Sequence, residues 1–502
     1  MTTKKSSKGR SLRKPNNRIT DRSNYYWLLG TIYMLILFGM VMILSASSVR
    51  AFQSTGDSYY YIKKQLVSLG IGSGLLFFCY LIPIKRLQSV SRYAVLISLA
   101  MLAAILVPGI GKEVDGASRW IPLGAFRLQP SEFAKIAVVM YTADYLARNK
   151  GGFKNIRNLQ LYGVVMGLTA MLIMLQPDMG TTITICISAV AMLFISGLNL
   201  RYILGIFTTG GIVGALLIYI EPYRFSRFLA FLDPNRDPTG AGWQIKQSMI
   251  AFGSGGLLGV GLGMSGQKYF YLPAAHTDFI FAIIGEELGL IGTLFVLGLF
   301  TTFAYYGVRV SLSSKSRFSQ LLGSGITAMI VLQAIVNMGA VTGILPVTGI
   351  PMPFISYGGS SLIVNLMVVG MLMRIAKENQ RGLSTGRSTK PETKSRRTSL
   401  RAIDDNIDEN NGRKKTKSRS GTSRKTASKK RASARKSNDL KKLKLVSSSQ
   451  EDQDNKRGRE SKQKQKSRTQ KRQSYASNNK RGRDGGSRVS GSGSRKSAAK
   501  SK

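Results

Sequence analysis

The 502 residues carry 72 Lys and Arg against 25 Asp and Glu, a formal net charge of +47, and their mean hydropathy of zero averages two unlike parts. Lys377 to Lys502 holds 40 basic residues against 12 acidic ones and almost no aromatics, whereas residues 25–376 are apolar and rich in glycine. A soluble nucleic-acid-binding protein could match that charge but not the run of membrane-length apolar segments, and two cysteines inside such segments, Cys79 and Cys186, make neither a disulfide framework nor a metal-ligand spacing.

A basic arm, residues 1–24, opens the chain, with eight Lys or Arg and a single Asp in the first 22 positions. The first apolar segment lacks a small-residue cleavage site at its end, so it reads as a retained transmembrane helix and not a removed signal peptide. Apolar segments long enough to cross a ~30 Å hydrocarbon core follow at roughly 27–46, 65–83, 92–108, 131–147, 159–175, 179–197, 202–220, 279–305, 320–345 and 359–376. Backbone in lipid must satisfy its own hydrogen bonds, so the expected fold is an all-α membrane protein, a polytopic bundle of ten transmembrane helices. The joints holding Lys85, Arg86, Arg92, Arg148, Lys150, Lys154, Arg157, Arg201, Arg309, Lys315 and Arg317 carry Lys and Arg but little else, and alternate with joints rich in Gly, Pro, Trp, Asp and Gln. The basic side is the cytoplasm, which places both termini there and makes 25–376 one membrane domain. From Lys377 the chain has no helical periodicity and no apolar core, and is expected to be a disordered basic tail, 377–502.

The outer joints are then 47–64, 109–130, 176–178, 221–278 and 346–358. They keep Trp120, Trp243, Phe252, Phe270 and Tyr271, more aromatic surface than a passive loop requires, and the long loop 221–278 includes a stretch, 242–264, that reads as one or two amphipathic or re-entrant helices. A polar cavity open to the outer face is the simplest architecture. Asp278 stands where the long loop meets a membrane helix, a position at which an ionisable group is a functional candidate. An N-cap on the helix Phe279–Phe300 explains it equally well on physical grounds alone. Gly261-x-Gly263-x-x-Gly266 matches a dinucleotide fingerprint but lacks the strand–helix context and the acidic residue that motif needs, and is rejected. Lys135, Glu286 and Glu287 are costly at membrane depth, so an ion pair between Lys135 and one of the two glutamates is expected in the bundle interior.

Four motifs carry a family resemblance. FLDP, GAGWQIKQSMIAFGSGGLLGVGLG, QKYFYLP and AHTDFIFAIIGEELG within 228–292, GASRWIPLG with QPSEFAK at 116–135, QPDMGTT at 176–182, and NMGAVTGILPVTGIPMPFISYGGSS at 337–361 resemble the SEDS family of membrane glycosyltransferases over about residues 25–376. The wording is nearest the division (FtsW) branch, with the elongation (RodA) branch as the near alternative. The resemblance implies polymerisation of lipid II into peptidoglycan strands at the outer face of the bacterial cytoplasmic membrane, during cell division and at the septum. A sugar hydroxyl would displace undecaprenyl diphosphate from an anomeric carbon with inversion. Such a displacement needs a base and cations near the leaving group, not the close carboxylate pair of a retaining glycosidase.

The resemblance tips Asp278 toward catalytic base. It implies a substrate role for Arg119, whose guanidinium matches phosphate oxygens, and for Trp120, although an interfacial Trp is common in any membrane protein. Lys268 is a further cation for the diphosphate or a solvated loop charge. His276, the only histidine, is read as a substrate or packing contact and not a relay to Asp278. Gln176, Asp178 and Thr181 stand between turn chemistry and substrate binding, with the turn slightly ahead. Ser356, Tyr357, Ser360 and Ser361 flank Gly358-Gly359 at a helix start, suited either to an anionic headgroup or to capping and close helix packing. Relatives commonly have Glu at the position of Ala274 and a basic residue at that of Gly266, which removes two candidate site groups here. No cofactor or metal site is expected; a divalent cation at the diphosphate stays open. The expected partners are a class B penicillin-binding transpeptidase, other division proteins, and anionic lipid headgroups along the basic tails, with no specific nucleic acid. A lipid II flippase and a non-catalytic scaffold are the competing readings, and few deep charges disfavour the first.

Overall fold

A computed structural model gives the fold and describes residues 17–109, 111–114, 117–123, 126–149 and 156–385. The basic arm to residue 16, Gly116, Lys150, Lys154 and the tail from residue 386 lie outside the described residues. The chain divides into two units, Met1–Glu392 and Thr393–Lys502, and only the first contains described residues.

Long helices occupy the expected apolar segments in order: α1 (Asn17–Thr55), α2 (Tyr60–Leu81), α3 (Ile84–Ala104), α4 (Pro130–Arg148), α5 (Ile156–Met174), α6 (Met179–Ile195) and α7 (Leu200–Ile220). Two shorter helices follow, α8 (Pro222–Leu232) and α9 (Ala241–Gly255), and then α10 (Ile280–Leu312), α11 (Arg317–Val341) and α12 (Gly359–Thr385). Among the described residues, α1, α2, α3, α7, α10, α11 and α12 are long and apolar enough to cross a membrane, whereas α5 and α6 are apolar but shorter. α4 instead buries Glu132, Lys135 and Asp144 against its neighbours. α1 and α12 overrun the expected boundaries, since α1 begins inside the arm and α12 extends past residue 376.

α4, α10, α11 and α12 form the interior, and α7 lies at the periphery with Ile203 as its buried residue. α2 and α12 approach so closely that a Cβ on Gly370 would strike the Leu76 backbone, the small-residue contact by which membrane helices gain dispersion energy.

The outer joint 109–130 departs from the all-helical expectation. Three short antiparallel strands, β1 (Lys112–Val114), β2 (Ala117–Leu123) and β3 (Phe126–Leu128), form a small sheet in which Lys112 faces Trp120 and Pro122 faces Arg127. The Asp115-Gly116 pair between β1 and β2 is a hairpin signal in the sequence. The stretch 242–264 forms one helix, α9, followed by a glycine-rich segment that folds back onto α10.

α10 is broken at Gly289, whose φ of +63° lies in the left-handed region. The glycine-rich segment supplies the partners that the break would orphan: Val260 and Gly261 N–H donate to the Glu286 and Glu287 carbonyls at 3.0 Å, and Leu290 N–H donates to Gly256 O at 2.9 Å. Irregular backbone inside a membrane domain persists only when paired in this way.

Candidate active site

Asp278 lies two residues before α10 and is a partly buried residue. The N-cap position of α10 is Phe279, and no side chain caps that helix. The capping explanation therefore fails, and the carboxylate is available for other work. Burial pushes its pKa up from 3.8 to about 6, opposed by Arg227 and Arg119 and reinforced by Asp178. At neutral pH it is mostly ionised yet poorly solvated, the condition of an effective proton acceptor.

Arg227, on α8, was not singled out from the sequence. A Cβ placed on Gly349 would lie 3.8 Å from both Arg227 Nη1 and Asp278 Oδ2, so the Pro346–Pro353 loop runs beside the pair. Arg227 Nη1 also donates to Val347 O at 3.4 Å. Only the amphipathic spacing of Tyr223, Phe225, Phe228 and Leu232, exposed apolar residues around a short helix, could have flagged α8 as a surface element that aims a cation inward.

Arg119 projects from β2, donating through Nε to Gln176 O at 3.0 Å and through Nη2 to Pro177 O, and it acts electrostatically on Asp278. Trp120 beside it is half-buried. Gln176 donates to Leu102 O at 3.0 Å. Asp178 caps α6, accepting from Thr181 N–H at 3.1 Å, and its other oxygen accepts from Ser131 Oγ at 3.0 Å and Gln129 Nε2 at 3.1 Å. The turn reading of Gln176, Asp178 and Thr181 thus matches their contacts: they hold Arg119 and the start of α6 in place.

Ser356 accepts from Met352 N–H at 2.8 Å, and Ser360 donates to Arg127 O at 2.7 Å, so both hydroxyls tie backbone segments together at the start of α12. Ser361 accepts from Asn365 Nδ2 at 3.4 Å. His276 is buried between Tyr61 and Tyr357, with ring centroids 4.5 and 5.7 Å away. Burial, with help from Arg50, pushes its pKa down to about 4, which leaves it neutral at pH 7.

Two expectations are corrected. Lys135 pairs with Glu132 at 2.9 Å and donates to Gln333 Oε1 at 2.8 Å, not with Glu286 or Glu287. A partner one turn away on the same helix, at i,i+3, satisfies it without a crossing of the bundle. Glu287 pairs instead with Lys268 at 3.3 Å and accepts from Ser45 Oγ at 2.6 and 2.7 Å. Lys268 is therefore a buried partner of a carboxylate and not a solvated loop charge. Glu286 accepts from Ser265 Oγ, from Gly266 N–H at 2.9 Å and from Gln267 N–H at 3.4 Å. The end of the glycine-rich segment thus wraps a carboxylate, which explains its fingerprint-like spacing without a nucleotide.

Residues 26–381 match the FtsW/RodA/SpoVE family model, described as "Cell cycle protein". The chain is 41% identical over 367 residues to a probable peptidoglycan glycosyltransferase FtsW of Trichlorobacter lovleyi, covering 72% of this chain and 96% of that protein. It is 39% identical over 363 residues to stage V sporulation protein E of Bacillus subtilis, covering 71% and 98%. Among solved structures, a chain of a peptidoglycan synthase complex superposes with a TM-score of 0.59 at 27% identity, covering 70% of this chain and 98% of that one. The rod shape determining protein RodA of Thermus thermophilus superposes with a TM-score of 0.53 at 26% identity, covering 70% and 96%. A family-model match over residues 26–381, a shared helical architecture and identity across nearly the full length of these relatives lead to one conclusion: the chain belongs to the SEDS family of FtsW, RodA and SpoVE.

Proposed function

We propose that the protein is a peptidoglycan glycosyltransferase that polymerises lipid II at the outer face of the cytoplasmic membrane, acting in cell division. The observation that carries the reading is the Asp278 carboxyl, desolvated beside Arg227 and within electrostatic reach of Arg119, in a joint that the basic-residue pattern assigns to the outer face. Its two properties suit the two halves of the displacement. As the acceptor hydroxyl oxygen attacks the anomeric carbon, its proton passes to the Asp278 carboxylate. The bond from that carbon to the diphosphate breaks, and Arg119 and Arg227 offset the charge that gathers on undecaprenyl diphosphate. Attack opposite the leaving group inverts the anomeric centre.

The names of the FtsW relatives support the polymerase assignment and favour the division branch. The match to a member of a complex that coordinates polymerisation and crosslinking supports a class B penicillin-binding transpeptidase as partner. Trp120 and Tyr357, both partly exposed, are the aromatic candidates for sugar contacts, while His276 packs between Tyr61 and Tyr357. The distribution of basic joints supports a cytoplasmic location for both termini.

The test is lipid II polymerisation by the purified protein with its cognate transpeptidase, comparing wild type with Asp278→Asn. Glycan strands from the wild type alone are expected. Equal polymer from both would remove Asp278 as base. No polymer from either, beside an active control, would favour the flippase or scaffold.

A further inference from the structure

We propose that Asn337 is a positioning residue for the reaction, clamping the peptide unit of Asp278 to the Pro346–Pro353 loop so that the carboxylate and Arg227 keep their mutual placement. The proposal rests on the assignment of Asp278 as base. Asn337 sits near the outer end of α11 and is buried, 2% exposed. Its amide donates one proton to Asp278 O at 2.7 Å and the other to Ile350 O at 2.8 Å. Both carbonyls lie outside regular structure. α10 begins at Ile280 and closes its first turn on Phe279 O, and Ile350 belongs to a segment with no helix or strand. One side chain therefore supplies donors to two irregular segments, which also meet where Tyr357 N–H donates to His276 O at 3.0 Å.

The loop is gripped a second time. Gln333, one turn earlier on the same face of α11, donates to Pro351 O at 2.8 Å and accepts from Lys135, itself paired with Glu132. Between the gripped residues and Val347, which accepts from Arg227, lies Gly349, the position whose Cβ would stand 3.8 Å from Asp278 Oδ2. Asn337 is thus the link that joins the backbone of the base to the loop that holds the cation.

The choice of asparagine favours this role over packing. Its Oδ1 is buried and has no hydrogen-bond partner, a loss of stability that an apolar residue would not incur. The reversed amide would set Oδ1 against two carbonyl oxygens, so the donors fix the side chain's orientation.

The test uses the full-length protein as wild type, Asn337→Leu and Asn337→Ser, each checked for monodispersity and melting temperature. Activity is measured as lipid II polymerisation with the cognate transpeptidase across pH 5 to 8. The carboxyl stretch of Asp278, assigned by its loss in Asp278→Asn, is titrated separately by infrared difference spectroscopy. Asn337→Leu is expected to lower kcat on the order of 10²-fold, as small misplacements of a catalytic group do, with KM little changed. The serine variant, which keeps one donor, should fall between. The Asp278 titration midpoint should move from its wild-type value in both. Wild-type kcat and an unmoved midpoint in both variants would overturn the proposal, as would losses that track melting temperature alone with the midpoint unmoved. The infrared titration needs no turnover, so a wild type that makes no polymer sinks the functional reading while the positioning claim is still decided.

Discussion

At the scale of single residues, the Asp278 carboxyl governs the pH response. Its folded-state pKa, about 6, lies above the ordinary 3.8, so the folded protein binds this proton more tightly than the unfolded chain does. Two consequences follow with opposite signs. This group's contribution to stability declines as pH rises from about 4 to 6, because ionising it in the fold is disfavoured. Activity rises over the upper part of that range, because the base works only when ionised. The polymerisation rate should therefore climb through an apparent pKa near 6 and level off above it, and Asp278→Asn should remove the activity by roughly 10²–10⁴-fold. A pH–rate profile checks both. A rate that is flat from pH 5 to 7 would exclude Asp278 as the titrating base. Arg227→Ala should cost about 10²-fold in kcat, the scale of losing one electrostatic donor at a developing charge. The same change in a scaffold would leave partner binding and everything else untouched.

At the scale of elements, the broken helix α10 and the segment folded against it act as one unit. Glu286 and Glu287 hold the Ser265–Lys268 turn, and Gly256–Gly261 pairs with the break at Gly289. Gly289→Ala places a Cβ against Gly259 N and Leu257 O in a left-handed conformation, so both sterics and backbone strain oppose it. A marked drop in melting temperature in detergent is the expected outcome. Lys268→Met leaves Glu287 charged without its cation and should destabilise by about 3–5 kcal/mol. The double change Lys268→Met with Glu287→Gln should recover most of that, which a double-mutant cycle of melting data will reveal. If Lys268 instead served a diphosphate, the single variant would melt normally and lose substrate affinity.

At the scale of the whole molecule, the proposed orientation has residues near Asp57 outside and those near Ser313 inside. Single cysteines introduced at these two positions, with Cys79 and Cys186 replaced, should react with a membrane-impermeant maleimide in intact cells at the first and not at the second. Labelling of both or the reverse pattern would reject the orientation. Truncation after Thr385 should leave polymerisation in detergent unchanged while weakening binding to vesicles rich in anionic lipid. That loss should shrink at high salt, since the attraction of about 1 kcal/mol per basic residue is electrostatic.

The apolar segments, the order of the helices and the candidacy of Asp278 were legible in the chain because they depend on local quantities. Span length answers to membrane thickness, loop charge answers to orientation, and an acid at a helix mouth stands out against apolar neighbours. The small sheet at β1–β3 was less legible, because strands of three to seven residues in a loop depend on contacts with distant segments, such as Arg119 to Gln176 O and Ser360 to Arg127 O. The partners of the buried charges were not legible at all. Lys135 could have reached Glu132, Glu286 or Glu287 as far as spacing allows, and only helix packing put Glu287 beside Lys268 and Ser45. Arg227 and Asn337 join Asp278 from two other helices, α8 and α11, 51 and 59 positions away. Membership of the bundle is written in hydropathy, a property each segment has alone. The site is a coincidence in space of β2, α8, α11, the start of α10 and the Pro346–Pro353 loop, and only their packing brings its groups within hydrogen-bonding and Coulombic range.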